Sequence, residues 1–145
     1  MPVFFWKTLQ HRIILKVFEN DMKEQRMCTI ALRHLSGIQK GIQSAHAIVE
    51  FENKYGQSRL SNAYAAYSKW ARRDKTLIVL EAHSDSDLNE AYAELSALKI
   101  PVAKFREPDL GNTTTAIAFV FSPKVDDEAS FGTAFIKERF RLATN

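Results

Sequence analysis

At 145 residues the chain is long enough for one domain with a substantial core and short for two. A hydrophobic content of 46% with 26% charged residues excludes a disordered chain, and a formal charge of +3 permits an anionic partner without requiring one. A single cysteine, Cys28, excludes an internal disulfide, and the four histidines, His11, His34, His46 and His83, lack the close spacing of a Cys/His zinc site. No metal or cofactor is expected.

The first twenty residues, MPVFFWKTLQHRIILKVFEN, are apolar but broken by Lys7, His11, Arg12 and Lys16. Their apolar runs are too short to span a bilayer, and no small-residue cleavage site follows. Residues 1–21 read as an N-terminal extension, a surface or packing helix, with a short strand over RIILKVF as the alternative. The regular pattern of a domain begins at Met22, which would also serve as a start. MCTIALR (Met27–Arg33) reads as a buried strand, with Cys28 as a small core residue. The loop HLSGIQKG follows, then a helix through GIQKGIQSAHAIVEF, capped near Gly56. SRLSNAYAAYSKWARR reads as a second helix and KTLIVLEA as the clearest strand. Ser84 and Asp87 form a capping box before a helix that turns Leu88, Ala91, Leu95 and Leu98 inward. Pro101 stops it, PVAKFRE alternates like a strand, EPDLGN turns, TTTAIAFVF is a fourth strand, and DDEASFGTAFIKERF closes as a helix.

The order β-α-α-β-α-β-β-α predicts a single three-layer α/β domain over 22–145. Its four-stranded mixed sheet would carry helices on both faces, with the last two strands antiparallel. Ligands in such sheets bind at loops following strand carboxyl ends. Those loops are HLSGIQKG and EPDLGN, and both would converge on the first helix.

That helix carries two rows. Gln39, Gln43, His46 and Glu50 fall within about 60° of one another at about 100° per residue. Ile38, Ile42, Ala45 and Val49 form an apolar row, the expected core face. Gly37 and Gly41 suggest backbone that comes close to something. Ser44 points away from His46, so a Ser-His pair is not expected.

A strand, a loop ending in Gly and Lys, then Gln43, His46 and Ala47 on a helix resembles the class II (archaeal and eukaryotic) peptidyl-tRNA hydrolases, whose signature reads roughly Gly-Lys-x-x-x-Gln-x-x-His-Ala. LSALKIPVAKFREPDLGNTTTAIAF is similar to the family's strand, Asp-Ala-Gly-x-Thr turn and Thr-rich strand. The resemblance runs from about Met27 to Phe121. It implies metal-independent hydrolysis of the ester between a peptide and the terminal ribose of tRNA, by a cytoplasmic homodimer. It also implies catalytic roles for Lys40, Gln43, His46, Asp109 and Thr114, with Gln39, Glu107, Asn112 and Thr113 contacting substrate. Two departures matter. Gln39 stands where the family has its lysine, with Lys40 one step later, and EPDLGNTTT is a shortened turn lacking the family's arginine. Either Glu107 or Asp109 would be the acid, with Asp109 favoured as the turn residue.

Each feature has a plainer structural reading. His46 and Gln43 would satisfy backbone groups under the helix, Lys40 would be solvated, and Trp70 would be core. YSKWARRDK (Tyr67–Lys75) is either a solvated helix end or a phosphate-tracking patch of Lys69, Arg72 and Arg73, extended by Lys54 and Arg59. GIQKG lacks the Gly-Lys-Ser/Thr ending of a P-loop. Beside the hydrolase stand two other functions. One is a catalytically inactive module binding tRNA or a small anion. The other is an interaction protein docking through Phe4, Phe5, Trp6 and Leu9.

Overall fold

The computed structural model describes residues 23–123, 136 and 138–145. The expected N-terminal extension and most of the expected closing helix over 126–140 lie outside the described residues.

The elements are β1 (Arg26–Leu32), α1 (Gly37–Tyr55), α2 (Asn62–Lys69), a π-helical turn (Trp70–Asp74), β2 (Leu77–Ala82), α3 (Asp85–Ala97), β3 (Val102–Glu107), a 3-10 turn (Pro108–Leu110), β4 (Thr113–Phe121) and β5 (Arg141–Leu142). The sheet has five strands, in the order β3-β4-β1-β2-β5, where four were expected. The addition is β5, two exposed residues that no hydrophobic pattern marks. It pairs antiparallel with β2 through Leu80 and Glu81. β1 and β2 run parallel, while β4 is antiparallel to both β1 and β3, so the sheet is mixed as expected.

Caps fix the helix starts. Ser36, Ser61 and Ser84 each accept a backbone N–H three residues on, satisfying a donor the helix cannot. Alternation along the strands then separates two cores. On one face Cys28, Ile30, Leu32, Ile117 and Phe119 pack under Leu88, Ala91 and Leu95 of α3. On the other, Met27, Ala31, Ala116 and Ala118 pack under Ala47 and Phe51 of α1, with Tyr67 and Trp70 alongside. Small alanines on this second face let α1 lie close to the sheet.

The apolar row of α1 is a correction. Ile38, Ile42 and Val49 are 79%, 48% and 53% exposed, and Ala45 is exposed as well. The buried row is Lys40, Gln43, Ser44, Ala47 and Phe51, so α1 is rotated by nearly half a turn from the expected orientation. Lys40 and Gln43 win the inner position because each finds a polar partner there. Gly37 does come close to another segment, since a Cβ there would lie 2.8 Å from Asn145 Oδ1, whereas Gly41 faces open space.

Candidate functional site around Gln43

Gln43 sits where α1 crosses the end of β3 and β4. Its Nε2 donates to Glu107 Oε2 at 3.0 Å, and its Oε1 accepts from Thr115 Oγ1 at 2.6 Å. Both ends of the amide are therefore used, which fixes its orientation. Glu107 Oε1 in turn accepts the Asp109 backbone N–H at 3.3 Å, so the carboxylate caps the 3-10 turn. The turn closes on Gly111 at φ 65° and Asn112 at φ 62°, a left-handed pair suited to those two residue types. The Asp109 side chain is exposed and hydrogen-bonds to no described residue. Thr113 Oγ1 donates to Leu110 O at 2.6 Å, tying the bend shut.

Three of the expected site residues thus come together: Gln43, Glu107 and the bend that carries Asp109. His46, one turn further along α1, is exposed and stacks on Phe105 of β3, with ring centroids 4.4 Å apart. Phe105 was not singled out from sequence.

Thr114 lies elsewhere. Its Oγ1 donates to Asn89 Oδ1 of α3, on the opposite face of the sheet. The register explains the exchange. Phe105 pairs with Ala116, but Arg106 pairs with Thr114, leaving Thr115 as the extra residue of a β-bulge. Strict alternation from Ala116 would send Thr114 toward α1, and the bulge sends Thr115 there instead.

Lys40 also lies elsewhere. Its Nζ is buried, 2.8 Å from Glu81 Oε2 and 2.7 Å from Thr144 O. Glu81 Oε1 accepts from Arg141 Nε at 2.6 Å, and Oε2 also accepts the Thr144 N–H. Hydrogen bonding by Lys40, opposed by burial and supported by Arg141 and Thr144, holds the Glu81 carboxyl down at about 2. Lys40 leans over β2 while Gln43 leans over β3 and β4, so the structure does not unite them. Gln39 is exposed in the first turn, where its backbone N–H meets the Ser36 cap.

The expected phosphate-tracking patch is dismantled in part. Lys69 is buried against Asp74, Nζ to Oδ2 2.6 Å. Burial raises the Asp74 pKa, but the Lys69 hydrogen bond and the Gln25 N–H outweigh it, and the net shift is downward. Lys54 Nζ donates to Tyr92 OH and Val102 O, both at 2.9 Å, closing off the edge of β3. Arg59 lies over the Tyr64 ring. Arg72 and Arg73 are exposed on the π-helical turn that leads into the amino end of β2. Because β2 and β3 run in the same direction, that turn is at the opposite end of the strands from Glu107.

A separate cavity of about 230 Å³ opens at the carboxyl ends of β1 and β2, lined by Arg33, Glu81, His83, Asp87 and residues 139–141. Among the described residues no cluster of His, Cys, Asp or Glu is arranged to hold a metal ion, and no helix is long and apolar enough to cross a membrane.

The family model described as peptidyl-tRNA hydrolase PTH2 matches residues 27–129, which span both halves of the Gln43 cluster. The chain belongs to that family. Its fold is similar to that of a solved protein of unknown function from Agrobacterium tumefaciens strain C58, at 13% identity and a TM-score of 0.53, covering 85% of this chain and all of that one. That likeness concerns fold alone. No curated protein matches the chain.

Proposed function

We propose that this PTH2-family chain hydrolyses the ester joining a peptide, or an N-blocked amino acid, to the terminal ribose of tRNA. The observation that carries the reading is Gln43, at the glutamine position of the family motif, bridging α1 to the acidic bend through Glu107. In this reading Glu107, with both oxygens engaged, is a positioning residue. Asp109, whose carboxylate is free among the described residues, receives the proton of an attacking water. The water oxygen bonds to the ester carbon, the bond from that carbon to the ribose oxygen breaks, and the proton ends on the ribose oxygen. The positive end of the α1 dipole would favour the developing oxyanion. His46 on its Phe105 platform, Asn112 and Thr113 border the peptide side. Arg72 and Arg73 would meet phosphates further along the tRNA. The protein would act in the cytoplasm as a homodimer, without metal or cofactor.

The test is release of tRNA from N-acetyl-aminoacyl-tRNA by wild-type protein and by Asp109→Asn. The reading expects turnover without added metal and a loss of about 10²–10⁴ in kcat/KM for the variant. A wild-type rate no higher than buffer removes it. One observation favours a second reading. Lys40 is committed to Glu81, and Gln39 occupies the family's lysine position, so among the described residues no free lysine stands at the helix mouth. Salt-dependent retention of tRNA with no release would identify a binding module that kept the fold and lost the chemistry.

A further inference from the structure

The hydrolase reading leaves one hollow unused, the cavity of about 230 Å³ at the carboxyl ends of β1 and β2. Topology puts it there. β1 and β2 are parallel neighbours, yet the chain leaves β1 into α1 on one face of the sheet and leaves β2 into α3 on the other. Connections that part in opposite directions from adjacent parallel strands open a crevice, and open α/β sheets bind ligands in such crevices. The Arg33 N–H donates to Ala82 O at 2.8 Å, carrying the ladder one step past the paired Leu32 and Ala82. Arg33 and His83 therefore stand side by side at the rim, on strands about 4.8 Å apart.

The charges lining this crevice fall into two groups. Glu81 has both oxygens engaged by Lys40, Arg141 and the Thr144 N–H, and Arg139 is held by Glu94. Arg33, His83 and Asp87 line the same cavity, but among the described residues their side chains form no hydrogen bond or ion pair, even with one another. Arg141 spends its Nε on Glu81, and its two η nitrogens meet no described partner. The uncommitted groups are thus two guanidinium groups, one imidazole and a single carboxylate. That balance is positive and suits an anion, and guanidinium forks match oxyanions through paired N–H donors. Asp87 narrows the choice. A carboxylate repels an oxyanion that has no proton to give, such as sulfate, and accepts a hydrogen bond from a ligand that carries a hydroxyl. Inorganic phosphate near neutrality carries one. At about 30 Å³ per water, the cavity has room for a phosphate with a short organic group, which Phe140 would meet as an apolar wall.

We propose that the crevice between β1 and β2 binds a small hydroxyl-bearing phosphate, either the free ion or a short-chain monoester, held by Arg33 and Arg141 with Asp87 accepting its hydroxyl. The site is separate from Glu107, which ends β3 on the far side of β4 and β1. Its test therefore reads binding rather than turnover, and its failure would leave the hydrolase reading standing. Isothermal titration of the full chain with inorganic phosphate, glycerol phosphate and sulfate, in low-salt buffer, is the measurement. Wild type should bind one phosphate saturably, and sulfate about tenfold or more weakly. Arg33→Gln, at an exposed position, should weaken phosphate by about tenfold or more with unchanged circular dichroism. Arg26→Gln removes the same charge at the amino end of β1 and should change binding by less than about twofold. Asp87→Asn should erase the preference for phosphate over sulfate, because an amide can donate where a carboxylate cannot. Tighter binding of glycerol phosphate than of phosphate identifies a monoester as the ligand, and the reverse order identifies the free ion. Absence of saturable binding by either at about 10 mM overturns the proposal. So does equal weakening by Arg33→Gln and Arg26→Gln, the mark of diffuse attraction. Sulfate bound as tightly as phosphate by wild type overturns it too, since Asp87 would then take no part.

Discussion

Two regions under α1 look alike in sequence and differ in what they can do. Toward β2, Lys40 meets Glu81 inside a shell closed by Arg141 and Thr144. Toward β3, Gln43 meets Glu107 and Thr115 beside an exposed acidic bend. The first pairs full charges away from water, where their desolvation is balanced by each other, by Arg141 and by the backbone of Thr144. The second uses a neutral amide to hold a carboxylate at a wet edge. A buried charge with its partners satisfied has nothing left to offer a substrate. The amide cluster ends instead beside the Asp109 carboxylate, which hydrogen-bonds to no described residue.

The largest expected effect would break this contrast outright. Glu81→Ala leaves the Lys40 ammonium buried without its counter-charge and should cost about 3–5 kcal/mol, read as a lower urea midpoint. Replacing both members, as Lys40→Met with Glu81→Leu, should recover most of that loss, because an apolar pair of similar volume removes both desolvation costs. A double variant that folds and still hydrolyses substrate would confirm that Lys40 is structural. One that folds and is inert would return Lys40 to the reaction.

Acid should separate the regions next. The Glu81 carboxyl sits at about 2 in the folded chain against an ordinary value of 4.5. Between those values the unfolded chain binds the proton and the folded chain does not, so stability falls as the pH drops. The contribution is complete above about 4.5 and is lost on the way down to about 2. Urea titrations of wild type and of the Lys40→Met, Glu81→Leu variant should diverge through that window. Parallel curves would show that Glu81 is not the group responsible.

What the sequence made legible was whatever depends on local pattern. The strands from Met27, Leu77 and Thr113 are long apolar runs, and Leu88, Ala91 and Leu95 repeat at helical spacing with a Ser84 cap before them. All are found in those roles. Leu98, expected to face inward with them, instead ends the helix partly exposed. The rotation of α1 was not legible, because its most apolar row faces water and its inner row is held by partners far along the chain. Glu81 is 41 residues from Lys40, and Glu107 is 64 from Gln43. One signal was available: a lone glutamate inside the apolar strand LIVLEA requires a buried cation, and Lys40 supplies it. The fifth strand left no pattern, being two exposed residues anchored by the same glutamate.

The three threonines at 113–115 give the finest test of the contrast. Thr115 is completely buried, and its hydroxyl is the donor that fixes the Gln43 amide. Thr115→Val keeps the shape and removes that donor, leaving a buried carbonyl unsatisfied at about 1–3 kcal/mol. It should also lower turnover, since Gln43 is then free to swing away from Glu107. Thr114→Val removes a bond to Asn89, which can turn toward water on the α3 side. It should cost about 1 kcal/mol or less and leave turnover unchanged. The difference between the two variants depends wholly on the bulge opposite Arg106, because regular alternation would exchange their roles. Equal effects on turnover would mean that the bulge does not set the site. A larger effect for Thr114 would mean that the reacting groups lie toward α3 rather than under α1.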